Sequence, residues 1–129
     1  FIGADYIADM RQKIDVYRRL SRITLYDEVD LLRKELADRF GPPPESVERL
    51  LALAELRLDA AIWQVAAVRR EDQYLVFAYS DRRRIEQLSR LCKGKLRVVD
   101  AKHAYLTVPP DWQTPERLWR LAKSVLRPR

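Results

Sequence analysis

Three charged side chains near residue 38 are spaced so that they would lie together on one surface of a helix. Glu35, Asp38 and Arg39 fall on a predicted helix, where separations of three and four residues place side chains on adjoining surface. Such a surface could bind a partner of complementary charge. The alternative is a solvated helix face on which Glu35 and Arg39 simply form an i,i+4 ion pair.

A second group of charges lies in the basic half of the chain and could contact an anion. Residues 1–66 hold 10 Lys/Arg and 12 Asp/Glu, whereas residues 67–129 hold 15 and 7, which gives balances of −2 and +8 within the overall +6. An uneven basic half is typical of nucleic-acid binding, and it is also found on ordinary solvated surfaces. The candidate anion contacts are Arg82, Arg83, Arg84, Lys93, Lys95 and Arg97.

The arginine triplet is the least ordinary part of that group. Arg82, Arg83 and Arg84 follow Asp81, a plausible N-cap, so they fall in the first turn of a predicted helix. Cations there oppose the helix dipole at about 0.3–1 kcal/mol each. A partner phosphate or an acidic protein patch would compensate that cost, although a folded protein tolerates it without compensation.

Signatures of catalysis and of cofactor binding are absent from the sequence. There is no Gly-rich dinucleotide or phosphate loop and no Cys or His spacing suited to zinc, so we expect no cofactor, no metal and no enzymatic activity. Cys92 is predicted to be a small buried hydrophobic residue rather than a nucleophile. His103 is predicted in a solvated turn, without an orienting partner nearby in sequence.

The composition is that of one globular domain inside the cell. The 129 residues are 47% hydrophobic and 34% charged, and no apolar run approaches the roughly 20 residues of a membrane helix. A single cysteine excludes an internal disulfide, which favours a cytoplasmic location, and no membrane contact is expected. Because the chain opens at Phe1 with neither Met nor a signal peptide, we expect a piece of a longer protein.

Three helices are predicted first. Asp9 can cap the first helix, Gly41 and the prolines at 42–44 end the second, which covers residues 26–40, and Pro44 or Glu45 begins the third. The apolar stripe of the first helix is Ile7, Met10, Ile14, Tyr17 and Leu20. That of the third is Val47, Leu50, Leu51, Ala54, Leu58, Ala61 and Ile62.

After residue 64 the pattern of apolar residues changes from one typical of helices to one typical of strands. Residues 65–68 and 74–79 are apolar runs separated by polar residues 70–73, which predicts a hairpin. A helix capped by Asp81, strands at 96–99 and 104–108, and a final helix capped by Thr114 follow. The inward side chains of these two helices are Ile85, Leu88 and Leu91, then Leu118, Leu121, Ala122 and Val125.

The element order predicts an α+β fold in a single domain spanning residues 1–129. Its helical part covers about residues 6–64, and an α/β part at about 65–127 carries a small antiparallel sheet of about four strands in hairpin-helix-hairpin-helix order. Whether Trp112 and Trp119 belong to the core or to an interface stays open.

Four stretches of the sequence then resemble a known family. Tyr-Arg-Arg-Leu at 17–20, Glu-Leu-Ala-Asp-Arg-Phe-Gly at 35–41, Pro-Pro at 43–44 and the helix at 50–57 are similar to the C-terminal (TRCF) domain of bacterial transcription-repair coupling factor (Mfd). The resemblance is good over residues 6–62. Two departures stand out: Lys13 where the family commonly has Arg, and residues 62–65 (Ile-Trp-Gln-Val) where it usually has Leu-Gly-Ile.

The resemblance implies a non-catalytic regulatory domain of an ATP-driven DNA translocase that displaces stalled RNA polymerase and recruits UvrA. In that family the domain packs on the UvrB-like N-terminal module of the same protein, masks its UvrA-binding surface and restrains the motor. Carried over, Glu35 and Asp38 contribute to that contact, with Arg39 beside them. The alternatives are a nucleic-acid-binding module that uses the basic second half and a plain structural end-cap.

Overall fold

The computed structural model describes residues 1–128, and within them it contains five helices and a four-stranded sheet. The predicted α+β class and the hairpin-helix-hairpin-helix order are confirmed. The elements are α1 (Met10–Arg22), α2 (Tyr26–Phe40), α3 (Glu45–Ile62), β1 (Val65–Glu71), β2 (Tyr74–Tyr79), α4 (Arg82–Leu91), β3 (Leu96–Val98), β4 (His103–Thr107) and α5 (Pro115–Leu126).

The backbone forms two compact units, Phe1–Leu58 and the chain from Asp59 onward, so α3 contributes residues to both. The core of the first unit is built from α1, α2, α3 and the segment that precedes α1. Its buried side chains are Ile2, Ile7, Val16, Leu20, Ile23, Val29, Leu32, Leu36, Val47, Leu51, Ala54 and Leu58.

The predicted apolar stripe of α1 is wrong at three of its five positions. Ile7 is fully buried but lies before the helix, which begins at Met10 with Asp9 as its N-cap. Because Ile7 is not helical, the helical phase counted from it fails, and the helix buries Val16 together with Leu20, which was predicted. The residues left in solvent are Met10, Ile14 and Tyr17, at 64%, 45% and 40% exposed.

Helix α2 is defined by local signals at both ends. The backbone N–H groups of Thr24 and Leu25 donate to Glu28 Oε1 at 3.3 and 3.1 Å, which satisfies free donors at the N-terminus. At the C-terminus, Gly41 has φ +87°, a conformation in which glycine is favoured because it has no Cβ. The predicted end of the helix is therefore confirmed.

The predicted stripe of α3 holds until its last turn, where Ala61 and Ile62 prove to be exposed. The last turn belongs to the second unit, which buries Ala60 and then Trp63 instead. The chain leaves the helix through Gln64, whose φ of +57° is unusual for a residue with a side chain.

The sheet is antiparallel throughout, in the order β1-β2-β4-β3. Strand β1 runs on to Glu71, so the predicted polar break is too long and the turn is only Asp72 and Gln73. An edge strand tolerates these exposed polar residues because only one of its sides is paired. Asp72 adopts φ +53°, as a tight hairpin turn requires.

One face of this sheet carries the core of the second unit. Leu75, Leu106 and Leu96 are in register across β2, β4 and β3, and all three are buried. Helix α4 contributes buried Ile85 and Leu88, and α5 contributes Ala122, Val125 and Leu126. Leu91 was predicted to face inward and is instead 43% exposed, because α4 ends there and its last turn opens to solvent.

Candidate functional site: the acidic surface of helix α2

The Glu-Leu-Ala-Asp-Arg-Phe-Gly stretch divides into outward and inward residues, as helical geometry requires. Leu36 is 1% exposed and belongs to the core, and Gly41 makes the turn that ends α2. Glu35, Asp38 and Arg39 lie on the outer side of the helix, with Asp38 and Arg39 exposed and Glu35 half-buried. We call these three residues the acidic surface.

Tyr6 positions the C-terminal end of the acidic surface. Its hydroxyl donates to the carbonyl oxygens of Gly41 at 2.8 Å and Leu36 at 3.2 Å, and its ring centroid is 5.8 Å from that of Phe40. Partial burial, with a smaller contribution from Glu48, raises the pKa of Tyr6, so the phenol remains a donor. The role of Tyr6 could not be predicted from the sequence, because its hydrogen-bond partners are 30 and 35 residues away along the chain.

Glu35 is the electrostatic centre of the acidic surface. Its Oε2 forms an ion pair with Arg19 of α1 and lies 3.6 Å from Arg39 Nη1. The Arg39 guanidinium also sits 5.0 Å from the centroid of the Phe40 ring. The i,i+4 pair of Glu35 and Arg39 was anticipated, whereas Arg19 could not be found from helical spacing within α2.

Asp38 differs from Glu35 because it forms no ion pair within residues 1–128. The surface therefore holds one carboxylate already neutralised by two arginines and one that faces water. Each surface ion pair contributes at most about 1 kcal/mol, so a partner cation can replace Arg19 or Arg39 at small cost. The acidic surface is thus open to a basic partner.

An open pocket lies one helical turn before Glu35. It has a volume of about 260 Å³ and is lined by three charged and three apolar residues: Arg19, Arg22, Glu28, Ile23, Leu31 and Leu32. Leu31 is 62% exposed, and it shares one side of α2 with Glu35 and Asp38, at positions i, i+4 and i+7. The charged residues therefore adjoin an exposed apolar side chain, a combination typical of protein interfaces.

Arg33 joins α2 to α3 within the first unit. Its guanidinium contacts Asp30 at 3.0 Å, Glu48 at 3.2 Å and Glu55 at 3.7 Å. Three acceptors around one planar group restrict the rotation of α2, since several bonds would have to break together. The network keeps the acidic surface in a fixed orientation relative to α3.

The six basic residues of the second half come from two parts of the chain, the first turn of α4 and the segment that leads from its C-terminus into β3. Asp81 Oδ1 accepts from the N–H groups of Arg83 and Arg84 at 2.9 and 3.2 Å, which confirms the predicted cap. Arg82 is paired with Glu86 at 2.7 Å, a hydrogen bond that raises the pKa of Arg82, while Arg83 and Arg84 are exposed. Lys93, Lys95 and Arg97 follow the C-terminal end of α4, a helix about 15 Å long.

Cys92 and His103 differ from what the sequence predicts. Cys92 is half-buried rather than buried, because it is the C-cap of α4 and not part of its inner face. His103 Nδ1 lies 3.0 Å from Asp100 Oδ1, so a partner does exist nearby in sequence. Asp100 also accepts the N–H of Lys102 at 2.7 Å and that of His103, and these bonds hold its pKa below the ordinary value of 3.8.

The tryptophans have three different settings. Trp63 is 2% exposed and its Nε1 donates to the Leu126 carbonyl at 2.9 Å, which fixes the end of α5 against the exit of α3. Trp112 and Trp119 are half-buried, and Lys123 Nζ lies 5.5 Å from the centroid of the Trp119 ring. These two are neither wholly core nor wholly surface.

Residues 1–128 contain neither a metal-ligand cluster nor a membrane-spanning helix. No group of three or more His, Cys, Asp or Glu side chains in this range could hold a metal ion. None of the helices in the same range combines the length and the apolar composition needed to cross a membrane.

Comparison with known proteins points to one family. The family model of the TRCF domain matches residues 1–89. The transcription-repair-coupling factor of Bacillus subtilis (strain 168) is 35% identical over 71 residues, 55% of this chain and 6% of that protein. That of Myxococcus xanthus is 42% identical over 58 residues, 45% of this chain and 5% of that protein.

The chain thus spans only a small fraction of the length of these relatives. The same holds for the transcription-repair-coupling factor of Borreliella burgdorferi, 31% identical over 81 residues that make up 63% of this chain and 7% of that protein. A crystal structure of the C-terminal domain of transcription-repair coupling factor matches with a TM-score of 0.75 at 18% identity, over 98% of this chain and 85% of that one. The fold is therefore shared along almost the whole chain.

Proposed function

The chain belongs to the TRCF domain family, and from that premise we propose that it is the non-catalytic regulatory domain of a cytoplasmic, ATP-driven transcription-repair coupling factor. The domain packs on the UvrB-like N-terminal module of the same protein. In that position it masks the surface that binds UvrA and restrains the motor until the protein engages RNA polymerase on DNA.

The observation that supports this proposal is the acidic surface. Two carboxylates and one arginine project outward from a helix whose orientation is fixed by Tyr6 at one end and by Arg33 in the middle. Fixed charged groups on a rigid element are what a specific protein contact needs, because little entropy is lost when they are bound. Asp38 provides a carboxylate that a basic partner residue can pair with directly.

The charge distribution around Glu35 suits a contact that must open again. A cation on the partner would compete with Arg19 and Arg39 for the same carboxylate, so binding exchanges ion pairs and does not create isolated new ones. The net gain is small. A domain tethered to its partner nevertheless stays bound, because tethering replaces bimolecular association by a high effective concentration.

The exposed Leu31 beside the open pocket adds an apolar contact to this electrostatic one. Leu31 can pack against an apolar side chain of the module, while the acidic surface pairs with its basic residues. Release of the domain would break these contacts together, as expected of a switch between two discrete arrangements.

A calorimetric titration of this domain with the separately expressed N-terminal module of the parent protein tests the contact. We expect binding by the parent chain and loss of binding, at least tenfold, in the variant that combines Glu35→Lys with Asp38→Lys. Asp38 is exposed and Glu35 half-buried, so the variant should stay folded and keep its circular dichroism spectrum, although the loss of the Glu35 ion pairs with Arg19 and Arg39 should lower its melting temperature by several degrees.

A matched control reverses two exposed carboxylates elsewhere, Asp15→Lys with Asp111→Lys, and makes the same change in net charge. The control should bind like the parent chain. If both double variants bind equally well, or lose affinity equally, the acidic surface is not the specific contact.

A second candidate function is binding of duplex DNA by the basic residues of the second half. It is favoured by the exposed Arg83 and Arg84 beside the N-terminus of α4. It predicts affinity for duplex DNA that falls steeply with salt concentration. The absence of binding at 20 mM salt would rule it out.

A further inference from the structure

The second face of the sheet carries a row of side chains unlike the apolar row on the first. Arg69, Val76, Tyr105 and Arg97 are in register across β1, β2, β4 and β3, so they point to the same side of the sheet. Both arginines are exposed and Tyr105 is half-buried. A charged group thus lies at each edge of the sheet, with apolar and aromatic groups between.

Two tyrosines on this face form an aromatic platform. Tyr74 belongs to the same face, and its ring centroid lies 5.2 Å from that of Tyr105, with the ring planes at 49°. Val76, which pairs with Tyr105 and lies two residues after Tyr74 in β2, is 2% exposed. The two rings are therefore held side by side by their positions on neighbouring strands and need little reordering when a ligand stacks on them.

The positive charge of this face is concentrated at its β3 edge. Arg97 lies in β3 and Lys95 comes directly before that strand; both are exposed, and neither forms an ion pair within residues 1–128. At the opposite edge, Arg69 is paired with Glu71 at 3.0 Å. The two edges are about 14 Å apart, three strand spacings, which leaves room for two or three nucleotides across the sheet.

We propose that this face, the platform of Tyr74 and Tyr105 with Lys95 and Arg97 at its β3 edge, is a binding site for single-stranded DNA. Unpaired bases stack on aromatic rings whatever their sequence, and phosphates pair with lysine and arginine at the rim of such a surface. Duplex DNA is excluded from the platform because its bases are already stacked on one another.

Single-stranded DNA is the simplest ligand that satisfies this geometry. Stacking on aromatic rings and pairing with cations do not require a ribose 2′-hydroxyl, so RNA would make no contact with this site that DNA lacks. The site shares no residue with the acidic surface of α2. A test of DNA binding at this site is therefore independent of the autoinhibitory contact.

Fluorescence anisotropy of a labelled 15-nucleotide oligo(dT) with the 129-residue chain tests the proposal. Tyr105→Leu should weaken binding about tenfold or more, whereas Tyr105→Phe, which keeps the ring, should bind within about twofold of the parent chain. With Lys95 and Arg97 contributing, the logarithm of affinity should fall with the logarithm of salt concentration at a slope of about −1.4, and Arg97→Gln should make this slope shallower by about 0.7.

Arg11→Gln is the matched control, because it removes the same charge from an exposed position on α1, outside the basic half of the chain. It should weaken binding less than Arg97→Gln does. Melting curves by circular dichroism confirm that each variant is folded, and the Leu and Phe variants at position 105 separate loss of the ring from loss of the fold.

Four results would overturn the proposal. These are no binding to oligo(dT) at 20 mM salt, equal or tighter binding of the corresponding duplex, tighter binding of oligo(U), and equal losses for Tyr105→Leu and Tyr105→Phe. If oligo(dT) does not bind but association with the N-terminal module depends on Tyr105, the face is a protein interface and the proposal is wrong.

Discussion

Substitution of Trp63 by phenylalanine should destabilise the second unit by about 2–4 kcal/mol. The indole Nε1 donates to the Leu126 carbonyl at 2.9 Å, and both residues are buried. Removing the donor leaves a buried carbonyl without its partner, which costs about 1–3 kcal/mol, and the smaller ring adds about 1 kcal/mol of lost packing. This is a large fraction of the 5–15 kcal/mol typical of a domain.

Trp119→Phe is the matched control, because it is the same chemical change at a half-buried position. The ring that remains keeps most of its contact with Lys123, so the cost should stay below about 1 kcal/mol. Urea denaturation followed by far-ultraviolet circular dichroism gives both free energies without relying on tryptophan fluorescence. Hydrogen exchange should show weaker protection in α5 of Trp63→Phe and no change in α1.

Two outcomes would refute the reasoning about Trp63. One is a loss below about 0.5 kcal/mol in Trp63→Phe, which would mean that the hydrogen bond to Leu126 does not hold the end of α5. The other is equal losses in the two variants, which would mean that burial and the hydrogen bond do not distinguish these tryptophans.

Three smaller perturbations test other parts of the fold. Tyr6→Phe removes the donor to the carbonyls of Leu36 and Gly41 and should lower the free energy of unfolding by about 1 kcal/mol in a urea titration; an unchanged value would contradict the role of Tyr6. Gln64→Gly relieves the positive φ and should raise that free energy by about 0.5–1 kcal/mol, with no gain in Gln64→Ala. Asp100 has a lowered pKa because it accepts the N–H of Lys102 and groups of His103, so the folded state binds fewer protons than the unfolded chain. Ionised Asp100 therefore stabilises the fold. This stabilisation is complete above about pH 5 and is lost as the pH falls below 3.8. Asp100→Asn should therefore lower the melting temperature at pH 6, and the difference should shrink by pH 3; a difference independent of pH would contradict the assignment.

The elements of the fold could be predicted because their ends are set by local signals. Asp9, Asp81 and Thr114 cap the helices that follow them, and Gly41 ends α2, each through contacts with residues a few positions away. The resemblance to the TRCF domain, read from residues 6–62, is confirmed and extends further, since the family model reaches residue 89.

Inward and outward faces were harder to predict, because they depend on where a helix begins and on what it meets. Met10 and Ile14 match a helical stripe, yet the helix starts three residues after Ile7 and buries Val16 instead. Asp38 is exposed, as expected, whereas Glu35 is half-buried. The Arg19 partner of Glu35 was not expected, because the pairing depends on the packing of α1 against α2 and leaves no periodic signal in the sequence.

The platform of Tyr74 and Tyr105 could not be predicted either. The strands that carry these residues were expected, but their pairing across β2 and β4 is a matter of register, which only the assembled sheet fixes. His103 and Asp100 show the same limit at short range, since a three-residue separation brings two side chains together only in a particular turn.

The central claim, that the domain masks the surface of the N-terminal module that binds UvrA, is tested most directly by competition. UvrA is titrated into that module alone, then into the module saturated with this domain, and then into the module with the Glu35→Lys, Asp38→Lys variant. We predict that the parent domain weakens the apparent affinity for UvrA in proportion to its concentration and that the variant leaves it unchanged. If UvrA binds the saturated module as tightly as the free module while the domain stays attached, the domain does not mask that surface and the claim is wrong.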